Sequence, residues 1–217
     1  MSIFFFLNYR LLSLLEREDW PALAYYLEQK IYVKGRYNLR YIRLLASSYL
    51  VISDYLSVLK LESKAQLVKP SLITKNVLIF GAARVLNSNP AEAVVFFKTH
   101  MEKCNPKDKQ WVQWFYGFSL LLAGAFDEVE PVFSLLSVSS SDALITGLSA
   151  YFLTSSLEKR SKTPEKCTQL AENGKKRVVK TIKNLSGWKK EIEKFGSDIH
   201  IAIVKKYIDE TGTWLFG

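Results

Sequence analysis

Residues 42–62 read IRLLASSYLVISDYLSVLKLE, residues 77–97 read VLIFGAARVLNSNPAEAVVFF, and residues 113–133 read QWFYGFSLLLAGAFDEVEPVF. Laid over one another, they place Ala46, Gly81 and Gly117 in one column, 35 and 36 residues apart. A small side chain in mid-helix lets another helix approach closely. A second column, Leu23, Val58, Ala93 and Val129, repeats at 35, 35 and 36 residues. Four residues later stand Leu27, Glu62, Phe97 and Phe133, and three residues earlier stand Trp20, Tyr55, Pro90 and Phe126. Each unit therefore reads as helix, short polar turn, helix. The turns are Glu18-Asp19, Ser53-Asp54, Ser88-Asn89-Pro90 and Gly124-Ala125. Asp, Asn and Ser there can cap the free amides of the second helix, and Pro90 suits a first helical turn, where no N–H is needed.

A helix pair repeated at this period cannot bury its apolar face alone, and about three units must stack for stability. The pattern resembles the tetratricopeptide family, whose unit reads W-x2-L-G-x2-Y, then A-x3-F, then P. Ile42-x2-Leu45-Ala46-x2-Tyr49 fits with Ile for Trp. Val77-x2-Phe80-Gly81-x2-Arg84 and Gln113-x2-Tyr116-Gly117-x2-Leu120 keep the glycine and lose end residues, while Ala93-x3-Phe97 and Val129-x3-Phe133 serve the second helices. Pro70 and Pro106 fall near unit ends. The resemblance covers residues 4–136 and implies an all-α, right-handed α-solenoid of stacked antiparallel helix pairs with C-terminal capping helices. The units are 4–36, 39–70, 74–106 and 110–138, with a partial fifth at 142–155. Together they make a repeat region over 1–155, followed by a basic helical extension over 156–217.

Beyond Ser141 the register slips. Asp142 to Leu153 reads as another first helix, with Gly147 standing 30 residues after Gly117. Thr163-Pro164-Glu165 is a helix start, with Thr163 as cap. Helices are predicted over 164–184, 187–195 and 197–209, closing the end of the stack. Charge concentrates here. The chain carries 30 Lys and Arg against 21 Asp and Glu, net +9. Residues 156–206 alone hold fourteen basic and six acidic residues. Lys175, Lys176, Arg177, Lys180 and Lys183 form the densest run. It reads either as a solvated helix face or as a contact surface for acidic protein, membrane headgroups or nucleic acid.

The 217 residues, 48% hydrophobic, suffice for a sizeable core in one or two domains. Ten Gly and six Pro argue against disorder and turn-rich β folds. The apolar run at residues 3–7 is far shorter than the roughly 20 residues that span a bilayer. With no basic leader, it is read as the buried face of a first helix. Cys104 and Cys167 have no metal-like spacing and are read as free thiols, with a disulfide as the alternative. His100 and His200 lie in no recognisable motif and are read as structural. Phe80-Gly81-Ala82-Ala83-Arg84 lacks the Lys-Ser/Thr ending of a phosphate loop. No acidic cluster has calcium-loop spacing, and Glu16, Glu18 and Asp19 are explained by capping. No cofactor, metal or catalytic residue is expected.

In the family, outward-facing side chains of the first helices line a concave groove. Transferring that register predicts a protein-binding groove of Arg40, Arg43, Ser47, Lys75, Leu78, Ala82, Trp111, Trp114 and Phe118. Its basic and aromatic character suits an acidic or amphipathic segment of a protein partner, held by charge and ring burial. The family's carboxylate clamp is not reproduced. A second reading has the C-terminal helices folding back to fill this face. The expected function is a non-catalytic scaffold or adaptor within a larger assembly. The alternative is nucleic-acid or anionic membrane-surface binding through the basic C-terminal helices. Separately, Arg40 and Arg43 among Tyr37 and Tyr41, together with Trp111 and Trp114, read either as an RNA contact with rings under bases or as rings packed between helices. A cytoplasmic location is favoured, and a membrane-associated one follows if a membrane segment precedes Ile3.

Overall fold

Four times along the chain a first helix is closed by the same turn. Glu18, Ser53, Ser88 and Gly124 adopt positive φ of 54°, 60°, 55° and 74°. Their amides donate to Leu15, Leu50, Val85 and Leu121 carbonyls at 3.1–3.2 Å. The following amides of Asp19, Asp54 and Ala125 reach back five residues to Leu14, Tyr49 and Leu120. This paired return satisfies the orphan carbonyls of a helix C-terminus through one left-handed residue. The next residue then starts a new helix. Asp19 Oδ1 accepts from the Ala22 amide, Asp54 Oδ1 from Ser57 and Asn89 Oδ1 from Glu92, at 3.1–3.2 Å. Ala125 has no side chain for this, and Asp127 and Glu128 supply negative charge to that first turn instead. The polar turns predicted from sequence are thus one structural device used four times.

A computed structural model describes residues 3–196 and 198–217, with side chains from Tyr9 onward. The expectation that residues 3–7 present a buried face falls on side chains outside the described residues. Among the described residues there are thirteen α-helices and no strand. None of these helices is long and apolar enough to cross a membrane. The chain divides into two compact units, 1–88 and 89–217.

The first unit contains α1 (Ile3–Glu16), α2 (Trp20–Glu28, prolonged by the π-helical Gln29–Val33), α3 (Leu39–Val51), α4 (Tyr55–Val68), the single turn α5 (Ser71–Thr74) and α6 (Val77–Leu86). Successive helices pack, α2 on α3, α3 on α4 and α4 on α6. Leu23, Leu27, Ile42, Leu45, Ala46 and Val58 are fully buried between them. Two polar links bind first helices to the second helix of the preceding pair. Tyr49 Oη donates to Glu28 Oε1 at 2.5 Å. One period later Arg84 grips Glu62 with two hydrogen bonds of 2.6 and 3.1 Å. Burial holds the Glu62 carboxyl above its ordinary range, with Arg84 opposing that rise.

The second unit contains α7 (Pro90–His100), α8 (Lys109–Leu122), α9 (Phe126–Ser139), α10 (Ala143–Phe152, prolonged by the π-helical Leu153–Leu157), α11 (Pro164–Ile182), α12 (Leu185–Glu193) and α13 (Ile199–Phe216). Each helix from α7 to α11 packs on the next, and α13 packs on α10, α11 and α12. Gly117 lies so close to α9 that a Cβ would stand 2.8 Å from the Phe133 ring. The register slip after Ser141 has a local cause. Between α9 and α10 the chain turns through extended Ser140 and Asp142, without a left-handed residue, and Asp142 caps Leu144 and Ile145. The change of charge at 155–156 lies inside this unit, where Cys167, Ala171, Gly174 and Val178 of α11 are buried.

Two details differ from the sequence reading. Thr163 stands at the cap position of α11, yet its hydroxyl donates to Glu130 and makes no cap bond. The last helix runs to Phe216, because Thr211, Gly212 and Leu215 are buried and Gly212 sits against the Trp188 ring.

The recurring turn gives a direct test. Gly124→Ala should lower stability by about 1 kcal/mol, because a Cβ is disfavoured at this φ. Ser53→Gly, which removes such a Cβ, should leave stability within about 0.5 kcal/mol of wild type or above it. Urea midpoints measure both, and an equal loss in the two variants would contradict the shared conformation.

Candidate binding surface

The aromatic face of α8 is covered rather than open. Trp111, Trp114 and Phe118 are 4%, 0% and 4% exposed. Trp111 meets Phe195 and His200 edge-on, with centroids 5.7 and 5.1 Å away. Phe118 meets Tyr207 at 5.4 Å and stacks on Trp114 at 5.2 Å. The helix register identified the correct side of α8, but α13 and the chain after α12 lie upon it. These three residues are therefore core, not groove lining. Ala82 is also fully buried, so it too leaves the predicted lining. The alternative in which the C-terminal helices fold back describes this unit.

Apart from Ala82, the predicted lining in the first unit stays at the surface. Arg40, Arg43 and Lys75 are exposed, and Ser47 and Leu78 are half-buried. Leu15 of α1 joins Leu39, Arg40, Arg43 and Leu44 of α3 around a pocket of about 460 Å³. The helix starts at Asn38, whose Oδ1 accepts from the Tyr41 amide at 2.9 Å, and this places Leu39 at the rim. Arg43 is held in place. Its Nε donates to Asn76 Oδ1 at 3.3 Å and its Nη2 to the Lys75 carbonyl at 3.2 Å. Asn76 in turn donates to the Leu72 carbonyl at 2.8 Å. The fixed guanidinium beside three leucines offers apolar contact and positive charge together.

Leu15, Leu39 and Leu44 were missed by the sequence reading. Leu44 was within reach of it, being one turn after Arg40 on the same helix face. Leu15 was not, because α1 carries Leu11 where the later units carry the small aligned residue, leaving its register weakly defined.

The basic run splits by role. Lys175 Nζ donates to the Trp214 carbonyl at 2.8 Å and lies over the Trp214 ring. Arg177 donates to the carbonyls of Ser137 and Ser140 at 2.7 and 2.9 Å. Both cations thus satisfy helix C-termini, where carbonyls lack partners and the helix dipole is negative. Lys176, Lys180 and Lys183 remain exposed.

Residues 57–217 match the model of a family described as an uncharacterised Treponema protein. The chain belongs to that family. A relative from Treponema pallidum (strain Nichols), named an uncharacterized protein, is 26% identical over 216 residues, covering 96% of this chain and 69% of its own. Membership in this Treponema family overturns the tetratricopeptide resemblance. The physical reason is that a period near 35 and small residues at crossings are what any run of paired short helices requires. The more discriminating end positions of the motif, Trp at one side and Tyr at the other, are incomplete in every unit here.

Other reactive side chains sit in structural settings. Both cysteines are free. Cys104 Sγ donates to the Met101 carbonyl at 3.1 Å, and burial pushes its thiol up. The His100 ring lies 4.6 Å from Phe96. Among the described residues no three His, Cys, Asp or Glu side chains group closely enough to hold a metal ion. His200 is buried among Trp111, Phe115 and Phe195. Burial pulls its pKa down from 6.5 to about 4, with Asp198 opposing.

That depression predicts an acid-sensitive unit. Between pH 6.5 and 4 the unfolded imidazole takes up a proton that the folded one refuses, so stability falls as pH falls. The full window is worth roughly 3 kcal/mol. His200→Phe, which keeps a ring in the cluster, should flatten the stability profile over this window. Chemical denaturation at pH 7, 5.5 and 4 checks it, and an unchanged slope in the variant would count against this role.

Proposed function

We propose that this protein is a non-catalytic binding scaffold that holds an acidic, amphipathic segment of a protein partner on the α1–α3 surface. In this reading successive helix pairs within each unit lie side by side as in a right-handed α-solenoid. The first-helix face of the first unit is the docking side, while the C-terminal helices of the second unit cover its own aromatic face. The observation that carries the reading is the pocket itself. Leu39 stands 38% exposed beside Leu15 and Leu44, with Arg40 and Arg43 at the same wall. Leucines offer area to an apolar side chain, and guanidiniums pair with carboxylates in a defined fork geometry. Arginine is among the residue types that dominate interface energies. The charged side chains of the pocket are guanidiniums, which offer several hydrogen-bond donors and no acceptor, a set that suits recognition of carboxylates.

The role is tested with a library of short acidic amphipathic peptides, read by fluorescence anisotropy. Wild type should select members with leucine or phenylalanine flanked by Asp or Glu. Leu39→Ser combined with Arg40→Glu should weaken the best of them by tenfold or more, about 1.4 kcal/mol. Arg43 is left intact because it supports the fold. A folded double variant that binds every peptide as wild type does would sink the proposal.

A further inference from the structure

We infer that the exposed lysine face of α11, together with the α11–α12 corner, docks on a membrane surface that carries anionic lipids. This goes beyond the peptide site, which lies on other helices.

The sequence of α11 splits cleanly by face. Cys167, Ala171, Gly174, Val178 and Ile182 are buried. On the opposite side Lys166, Gln169, Asn173, Lys176 and Lys180 recur at three- and four-residue steps, and Lys183 follows just past the helix end at φ 69°, all exposed. Steps of three and four residues keep side chains on one face of a helix, so the row from Lys166 to Lys180 runs about 21 Å along it. Glu165 borders its amino-terminal half, Glu172 stands one turn before Lys176, and no acidic residue occurs from Lys176 to Lys183. Among the described residues Lys176, Lys180, Lys183, Lys189 and Lys190 have no carboxylate within 4 Å. The field of these charges is therefore not cancelled by local ion pairs.

Three observations choose a lipid surface among anionic partners. The row contains no exposed aromatic ring, so it offers no platform on which single-stranded bases could stack. Its cations are lysines, and the neighbouring Arg177 is committed to the Ser137 and Ser140 carbonyls. Lysine acts as a point charge, without the bidentate geometry that reads base edges. Finally, the row runs directly into a corner where Leu185 is 44% exposed between Lys183 and Lys189. An exposed leucine amid lysines matches the boundary between headgroups and acyl chains, where apolar burial and attraction to anionic lipid add. A phosphodiester backbone has no use for it.

The test uses the full chain and floated vesicles. Vesicles of mixed phosphatidylglycerol and phosphatidylcholine should bind it, pure phosphatidylcholine vesicles should not, and rising salt should weaken the binding. Each lysine near an anionic surface contributes about fivefold, so Lys176→Gln, Lys180→Gln and Lys183→Gln together should reduce binding by on the order of a hundredfold. The three Glu replacements, which also repel the anionic surface, should give a larger loss. Leu185→Ser should weaken binding several-fold with the salt dependence unchanged. Urea midpoints like that of wild type will show the variants folded. Binding to pure phosphatidylcholine, tighter binding to duplex DNA or single-stranded RNA at the same salt, or wild-type vesicle binding by the charge-reversed variant would each overturn the inference. So would no binding to any vesicle.

Discussion

Short helices impose the governing constraint on this molecule. Most of its helices are nine to fourteen residues long, a length that is marginal in water without tertiary packing. Each must lay an apolar stripe on a neighbour. The recurring left-handed turn makes that possible economically, because it reverses the chain within two residues and, at Asp19, Asp54 and Asn89, caps the next helix as well. The small residues then decide how near the neighbours come. Gly117 brings α8 onto Phe133, and Gly147 brings α10 onto the Trp188 ring, where a Cβ would stand 2.8 Å from the indole.

The same packing demand shapes the two surfaces discussed for function. In the second unit α8 presents Trp111, Trp114 and Phe118 on one side. So much aromatic area would be a liability in water, and α13 removes it by laying Ile201, Val204, Ile208 and Tyr207 toward the core. Trp188 anchors the arrangement, its indole N–H donating to the Ile208 carbonyl at 3.1 Å. The basic residues take part in this closure. Lys175 and Arg177 satisfy the ends of α13 and α9, so part of what reads in sequence as a charged patch is structural. In the first unit no comparable helix lies over Leu39 and Arg40, and the α1–α3 pocket remains open among the described residues.

Polar contacts within the first unit follow the repeat even where residue identity changes. Tyr49 and Arg84 occupy equivalent positions, and each reaches a carboxylate on the preceding second helix, Glu28 and Glu62 respectively. A neutral donor and an ion pair thus serve one geometric purpose. Burial raises the pKa of Tyr49 and of Glu62, as expected where low dielectric penalises charge. Such half-buried pairs add little net stability, but each restricts which neighbour a helix can accept.

Much of the local structure was legible from residues alone. The columns of Ala46, Gly81 and Gly117 and of Leu23, Val58, Ala93 and Val129 predicted helix pairs and their turns, because hydrophobic period, capping side chains and turn geometry are properties of neighbours in the chain. The same register singled out Arg40 and Arg43, which lie at the pocket. What covers a face is another matter. Trp111, Trp114 and Phe118 have the same helical phase whether they meet solvent, a partner or α13, and α13 lies about ninety residues downstream. Lys175 and Arg177 look like their neighbour Lys176 until the carbonyls of Trp214, Ser137 and Ser140 arrive beside them. Periodicity encodes which way a side chain points. Only the folded chain decides what stands opposite, since that depends on contacts between segments with no local relation in sequence.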